Sequence, residues 1–492
     1  MKQYFFLGAP LSDLFPVLEK VQRSTSKIRN FIQRSLIDFE LLIGQGNRPD
    51  RIHTHLVSSG VIPKFDYYFT GSKVGEENIS FNWFEREMLD GKNEHTPYIW
   101  NSQKMWEQFF HLLNKNQGKK ILVSSSAPRD QHKLLANYSN VLFASPPPEV
   151  AVYFGDDKRK MYEIYSSLGL QYEVINYAST EDVLNDYNFH SEQLHGKSLV
   201  VQATIGSGGV TENDKRALYF TDNEDEFHNS IENLRGEGPL RIMKKYDGIP
   251  SNTAALSLPL GTYISAIPSV KPCGVTEIGA KMGTSGGNQW DTRFPIDAID
   301  SQFYQIKKVG EKMASSGYNG VFGLDPIMPF TQNGLVFNSE INARAQGPDS
   351  QRASSALAIG IPCLEEMQLA FYLGCPSELF PDPSDYNLIT RWLKIPPYLK
   401  LFPKEDSFVK ANFNGYWRFQ NGTLIRSDLK DASFKITGAP RVGQKILRDS
   451  PDNFLYVKFI DVDTKIYTDG TNPRLTSNAL EISDYLYENI VL

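Results

Sequence analysis

The sequence predicts a mixed chain, α/β at its N-terminal end and α+β beyond, closed by a small β-rich C-terminal domain. Three observations carry that expectation. Residues 1–148 alternate short apolar runs with segments of helical spacing, as in a Rossmann-like unit. The middle of the chain pairs apolar runs around polar and glycine-rich turns. The last hundred or so residues string together short β-like runs separated by Gly and Asp turns. At 492 residues the chain is too long for one small core.

In order, residues 3–7, 67–69, 120–124 and 141–144 read as buried strands, the first opening the N-terminal sheet. Residues 102–114 read as a helix with Trp106, Phe109, Phe110 and Leu113 on one face. No GxGxxG follows the first strand, so the dinucleotide fingerprint is absent. The proline run 146–148 marks a boundary. Beyond it, 158–168 is helical, 198–204 a strand, 205–210 a glycine-rich turn and 217–221 the returning strand. A helix over 225–233 and a strand over 240–245 follow. Residues 251–258 and 263–267 form a hairpin. The stretch 274–294 is too rich in glycine for a core element and reads as a long polar loop. A helix over 300–316 leads into a second hairpin, and 353–374 is helical with an interruption at Pro362. The C-terminal runs are 408–413, 416–419, 423–425, 434–436 and 454–459, ending in a helix over 477–487.

Composition narrows the function classes. The chain is 40% hydrophobic and 22% charged with net charge −6, a pI near 5.9 and mean hydropathy −0.37. No Lys/Arg cluster supplies the basic stripe that nucleic acid needs. Cys273, Cys363 and Cys375 are odd in number and widely spaced, which reads as reduced thiols in a cytoplasmic protein rather than a disulfide frame or a zinc site. No stretch approaches a membrane span, and the short apolar run after Lys2 is too brief for a signal segment.

The chemistry concentrates in the second hairpin, residues 323–344, GLDPIMPFTQNGLVFNSEINAR. Apolar runs flank a turn at 332–334. Asp325 lies on the first strand and Glu340 on the second, side by side when counted back from the turn. Asn342 and Arg344 share the parity of Glu340 and so its face. Two acids, an amide and a guanidinium on one face call for an ion, and this oxygen set suits magnesium completed by substrate phosphates. Paired surface acids neutralised by an arginine are the plain alternative, weakened here because the acids interrupt an otherwise apolar run. Gly206, Ser207, Gly208 and Gly209 form a turn whose amides can approach a phosphate, although most glycine hairpins are only tight turns. The turn lacks the GKS/T ending of a P-loop. Lys158 in GDDK and the exit of the strand at 240–245 are, taken singly, solvated lysines.

Taken in order, a helix-start lysine, a glycine hairpin, a strand with a polar exit and an E-x-N-x-R hairpin resemble the ATP-grasp superfamily over about residues 149–375. The E-I-N-A-R run preceded by GLD is the most specific element. The resemblance implies a pre-ATP-grasp domain (1–148), a two-lobed core clasping Mg-ATP (149–240 and 241–375) and a C-terminal cap (376–492). It implies Asp325, Glu340 and Asn342 as ligands of two magnesium ions, with manganese able to substitute. Arg344 then stabilises the transferring phosphoryl group, Lys158 and Gly206–Gly209 meet the phosphates, and Met243, Lys244, Lys245 and Tyr246 form the adenine hinge. Two positions depart from the family pattern: Gln202 stands where a second lysine is usual, and Lys244 where an acid is common.

The activity so implied is ADP-forming ligation of a small-molecule carboxylate and an amine, an amino acid or peptide, through an acyl phosphate. Arg293 is a candidate carboxylate clamp, with a loop salt bridge to Asp291 the equal alternative. Lys271 and Glu277 are placed to line the site, and residues 279–288 to act as a lid. Two other readings stand beside the ligase: a carboxylase-type enzyme or one loading a carrier protein, and a nucleotide-binding regulatory protein without turnover.

Overall fold

The computed structural model describes residues 2–6, 8–46, 53–69, 82–83, 103–170, 172–205, 211, 216–290, 294–439, 442–443, 445–448, 455–469 and 472–490. The N-terminal sheet is parallel throughout, in the order β3-β2-β1-β4-β5, with β1 Leu41–Gln45, β2 Tyr67–Phe69, β3 Asn82–Trp83, β4 Ile121–Ser125 and β5 Val141–Phe143. The strand expected at 3–7 is not one of them. Lys2–Tyr4 is a 3₁₀ turn, and Phe5 makes a single antiparallel bridge to Leu393 in a distant part of the chain. The true first strand, β1, follows the long helix Leu11–Leu36. That helix buries Leu14, Leu18, Val21, Thr25, Ile28, Ile32 and Leu36 at alternating three- and four-residue steps.

The next sheet is four-stranded and antiparallel, in the order β6-β9-β7-β8: β6 Val174–Tyr177, β7 Leu199–Ala203, β8 Leu218–Thr221 and β9 Leu240–Lys244. The following sheet runs β11-β10-β14-β15, with β12 paired to β10. Its strands are β10 Ile249–Leu258, β11 Gly261–Ile264, β12 Ser269–Val270, β14 Gly320–Met328 and β15 Phe337–Asn342. The helix Ile296–Ser315 lies along β10 and β11 and turns Ile306, Val309 and Met313 into the core that holds Phe322, Leu324, Phe337 and Ile341.

The C-terminal sheet runs β13-β16-β22-β20-β18-β19: β13 Gly287–Asn288, β16 Tyr398–Leu401, β18 Gly415–Gln420, β19 Thr423–Arg426, β20 Phe434–Thr437 and β22 Leu455–Phe459. A two-stranded ribbon, β17 Ser407–Phe408 with β21 Lys445–Ile446, adjoins it. Its first strand comes from the stretch expected to be a free polar loop. Gly287 has φ +137° and backs onto the Tyr398 carbonyl, a position no Cβ could share. Asn288 is buried, donating to Ser269 Oγ at 2.6 Å and accepting from Tyr398 Oη at 2.7 Å. Val275, Ile278 and Ala280 join the C-terminal core. A stretch so anchored does not form a freely closing lid: the glycines serve close backbone packing. Among the described residues no helix is long and apolar enough to cross a membrane.

Candidate functional site

The hairpin β14–β15 pairs Gly323 with Asn342 and Leu324 with Ile341, then slips so that Pro326 faces Asn338. Asp325 therefore stands opposite both Ser339 and Glu340, in a bulge that suits Pro326, which has no N–H to donate. Ser339 Oγ closes the bulge on the Asp325 carbonyl at 2.9 Å. The apolar alternates Leu324 and Ile341 go into the core while Asp325, Glu340 and Asn342 share the other face. Asn342 Nδ2 donates to Asp325 Oδ2 at 3.3 Å, and Arg344 Nη2 donates to Asn342 Oδ1 at 2.9 Å.

The charge the hairpin calls for is supplied by two lysines. Lys158, in the turn before the helix Lys160–Ser167, lies 3.4 Å from Glu340 Oε2 and also reaches the Thr204 carbonyl at 3.5 Å. Lys271, just past β12, lies 2.8 Å from Asp325 Oδ2. Burial alone would raise the Glu340 carboxyl, but Lys158 and Lys271 outweigh it and hold the group well below the usual carboxylate range. Burial alone would lower the Lys271 ammonium, and Asp325, with Cys273 and Glu340, drives it above its ordinary value.

Behind Asp325 lies a buried polar chain that the sequence reading did not single out. Asn252, on β10, donates through Nδ2 to Asp325 Oδ1 at 2.7 Å and to Gln346 Oε1 at 2.8 Å. Arg352 Nη2 donates to Asn252 Oδ1 at 2.6 Å, and its Nη1 to Asp349 Oδ1 at 2.7 Å. Asp349 Oδ2 in turn accepts from the Gln346 N–H at 2.6 Å. All four of these residues are buried.

Across the cleft, β7 carries the uncharged Gln202, and a cation comes from the neighbouring strand. Arg241, on β9, is paired in register with Gln202 on β7. Its Nε and Nη2 donate to Gln202 Oε1 at 3.0 and 2.7 Å, and its Nη1 to Tyr172 Oη at 2.9 Å. Arg241 is among the largest fully buried side chains, and its charge helps to lower the Glu340 carboxyl. Further along β9, Met243 is core, Lys244 pairs with Glu173 at 2.7 Å, and Lys245 Nζ lies over the Phe220 ring. Tyr246 stacks on Phe337 of the β14–β15 hairpin, ring centroids 4.2 Å apart, and Tyr172 stacks on Phe337 at 5.0 Å.

The structure thus brings Lys158, Gln202, Asp325, Glu340, Asn342 and Arg344 towards one cleft, with Lys271 and the unforeseen Arg241 and Asn252. Glu277 is a correction: it does not meet the hairpin but lies 3.5 Å from Arg474 in the C-terminal region. Gly206, Ser207, Gly208, Gly209 and Arg293 lie outside the described residues.

Two carboxylates and an amide carbonyl are hard oxygen donors of the kind magnesium accepts when phosphates and water complete its sphere. Among the described residues no group of three or more His, Cys, Asp and Glu converges. The two ammonium groups seated on the acids show that positive charge is accommodated there.

Comparison with known proteins bears on the fold. No protein-family profile and no curated protein sequence matches the chain. Solved structures do. An L-amino acid ligase from Bacillus licheniformis is similar at TM-score 0.55 and 11% identity, over 92% of this chain and 99% of that one. The biotin carboxylase domain of Hydrogenobacter thermophilus 2-oxoglutarate carboxylase, solved with MgADP, ADP and bicarbonate, is similar at TM-score 0.58 and 12% identity, over 86% of each chain. Phosphoribosylamine–glycine ligase from Thermotoga maritima is similar at TM-score 0.50 and 13% identity, over 91% of this chain and 96% of that one.

Proposed function

The chain has the ATP-grasp fold, and from that premise we propose that it is an ATP- and magnesium-dependent, ADP-forming ligase joining a carboxylate to an amine, with an amino acid or peptide as substrate. One observation carries the reading: the bulged hairpin sets Asp325, Glu340, Asn342 and Arg344 on one face, against Lys158. In this reading residues 1–148 precede the core, 149–375 clasp the nucleotide and 376–492 cap it.

Asp325, Glu340 and Asn342 would hold magnesium, which when bound neutralises phosphate charge and orients the γ-phosphoryl group. Lys158 binds phosphate oxygens from the other side of the cleft, and the buried Arg241, held in plane by Gln202, adds positive charge behind it. The glycine-rich segment 206–209 is assigned to the same phosphates, and residues 243–246 to the base. The substrate carboxylate oxygen attacks the γ-phosphorus in line, the bond to the ADP oxygen breaks, and a mixed anhydride forms. Arg344 neutralises the phosphoryl oxygens as this happens. The amine then attacks the acyl carbon, phosphate leaves, and the amine proton passes to solvent. No side-chain nucleophile is needed, since positioning and charge account for the rate. Arg293 is assigned to the substrate carboxylate.

ADP and phosphate release that requires both an acid and an amine, measured across a panel of amino acids and dipeptides, tests the reading. Turnover with none of them, while ATP still binds, would leave a nucleotide-binding regulatory protein. The likeness to a biotin carboxylase domain favours a second reading, a carboxylase-type or carrier-loading enzyme. ADP release with bicarbonate as the sole acid, or mass added to a carrier protein, would select it.

A further inference from the structure

The two oxygens of Asp325 live in different surroundings. Oδ1 faces inward and accepts from Asn252, which is fixed in turn by Arg352 and Asp349. Asn252, Arg352 and Asp349 are each 2–3% exposed, so this side of the carboxylate is held by groups that have no room to move. Oδ2 faces the cleft, where it meets Asn342 Nδ2 at 3.3 Å and the Lys271 ammonium at 2.8 Å. Lys271 is anchored by its backbone, whose N–H donates to the Pro250 carbonyl, while its ammonium stands at the end of a four-carbon stem with several rotatable bonds. A divalent cation arriving from the cleft reaches Asp325 through Oδ2, and Lys271 already sits there.

We propose that Lys271 is a built-in counter-cation: it occupies Asp325 Oδ2 until a divalent metal displaces it, and the released ammonium then contacts the oxygens of the phosphoryl group in transfer. This rests on the Mg-ATP reading above. The charge balance supports an exchange. Without metal, Asp325 and Glu340 are matched one to one by Lys271 and Lys158. A divalent cation brings two positive charges to the same acids, and the ammonium leaves for the anion that arrives with it. A purely structural lysine would instead lose its partner and destabilise the site.

The experiment is Mn2+ binding, read by electron paramagnetic resonance on the full chain without nucleotide and again with ADP, for the wild type, Lys271→Met and Lys271→Gln. The exchange predicts several-fold tighter Mn2+ binding without nucleotide in both variants, because the competitor is gone, together with a kcat at least ~10-fold lower. Equal or weaker Mn2+ binding in the variants overturns the exchange alone. No Mn2+ binding to the wild type, even with ADP, overturns the metal site itself. The wild type gives a reading that needs no substitution. Acylation of Lys271, followed by peptide mass spectrometry, rises on adding Mg2+ if the ammonium is released, and unchanged or lower labelling overturns the proposal.

Discussion

The two sides of the cleft are built in opposite ways. On the hairpin side, the polar groups stand at alternate positions of one strand and its continuation, Glu340, Asn342 and Arg344, and strand parity alone aims them together. On the opposite side the cation and its holder come from different strands, Arg241 from β9 and Gln202 from β7, and meet only because the sheet pairs them in register. Chemistry written along one strand shows in the sequence; chemistry written across two does not. The sharpest break between the sides is Glu340→Ala, which removes one of the hairpin's two acids. ATP-dependent phosphate release should fall by ~10³-fold or more, with the thermal melt unchanged within a few degrees. Retained turnover would separate the hairpin from the chemistry.

The strand side should yield to a swap. Arg241→Met strips a buried cation and leaves Gln202 Oε1 and Tyr172 Oη without their donor, costing about 1–3 kcal/mol of stability and weakening ATP binding by at least ~10-fold. The double variant Arg241→Gln with Gln202→Lys moves the positive charge from β9 to the paired position on β7. It should recover a good part of the affinity measured by calorimetry. If the pair binds ATP no better than Arg241→Met, the charge of Arg241 serves the sheet and not the nucleotide.

The same contrast explains what the sequence let one read. The parallel N-terminal strands 67–69, 121–125 and 141–143, the hairpins and most C-terminal runs follow from period and turn residues, and their positions agree with the expected ones within a few residues. Residues 3–7 carry a strand-like apolar run, but Tyr4, Phe5 and Phe6 are spent against the 392–394 segment, a contact from a distant part of the chain. The helix Leu11–Leu36 has a regular stripe that includes Thr25 and runs past Pro16, so its polar content masks the period. The glycines of 274–288 look like loop formers, yet Gly287 is there for close approach to Tyr398. Arg241 stands among apolar residues of its strand and Asn252 in the polar run Ser251–Thr253, and nothing local says that the first faces a glutamine and the second an aspartate.

Within the hairpin side, Asn252 divides Asp325 from Glu340. Asn252→Ala frees Asp325 Oδ1 and leaves Arg352 without one acceptor, while Glu340 and Lys158 are untouched. Loss of such an outer partner costs ~10–100-fold in metal affinity. Mn2+ titration in the presence of ADP should show that loss, with a smaller change in ATP affinity. Equal loss of both would mean that the chain behind Asp325 supports the whole cleft.

The smallest effect compares two glutamates on either side of this chain. Glu340 is ionised, its carboxyl held low by Lys158 and Lys271 against the burial that would raise it. Glu365 lies beside Asp349 and Arg352 in a small cavity also lined by Cys363 and Tyr386, and burial, with the Asp349 charge, pushes its carboxyl up to about 8. The signs are opposite. Between the lowered value of Glu340 and the ordinary 4.5, the unfolded chain takes up the proton first, so stability falls as pH drops. Between 4.5 and about 8 the unfolded chain has released the Glu365 proton while the folded one keeps it, so stability falls as pH rises. Each unit of pH in that second window costs up to ~1.4 kcal/mol for one proton. Glu365→Gln keeps the neutral shape and removes the release, so its denaturant midpoint should decline less than the wild type's between pH 6.5 and 8, above the range in which buried His132, lowered to about 3, gives the opposite slope. Glu340→Gln should leave that decline in place and lose only the acid-side fall. Parallel wild-type and Glu365→Gln profiles would mean that the buried acid is ionised after all, with Arg352 shared between it and Asp349.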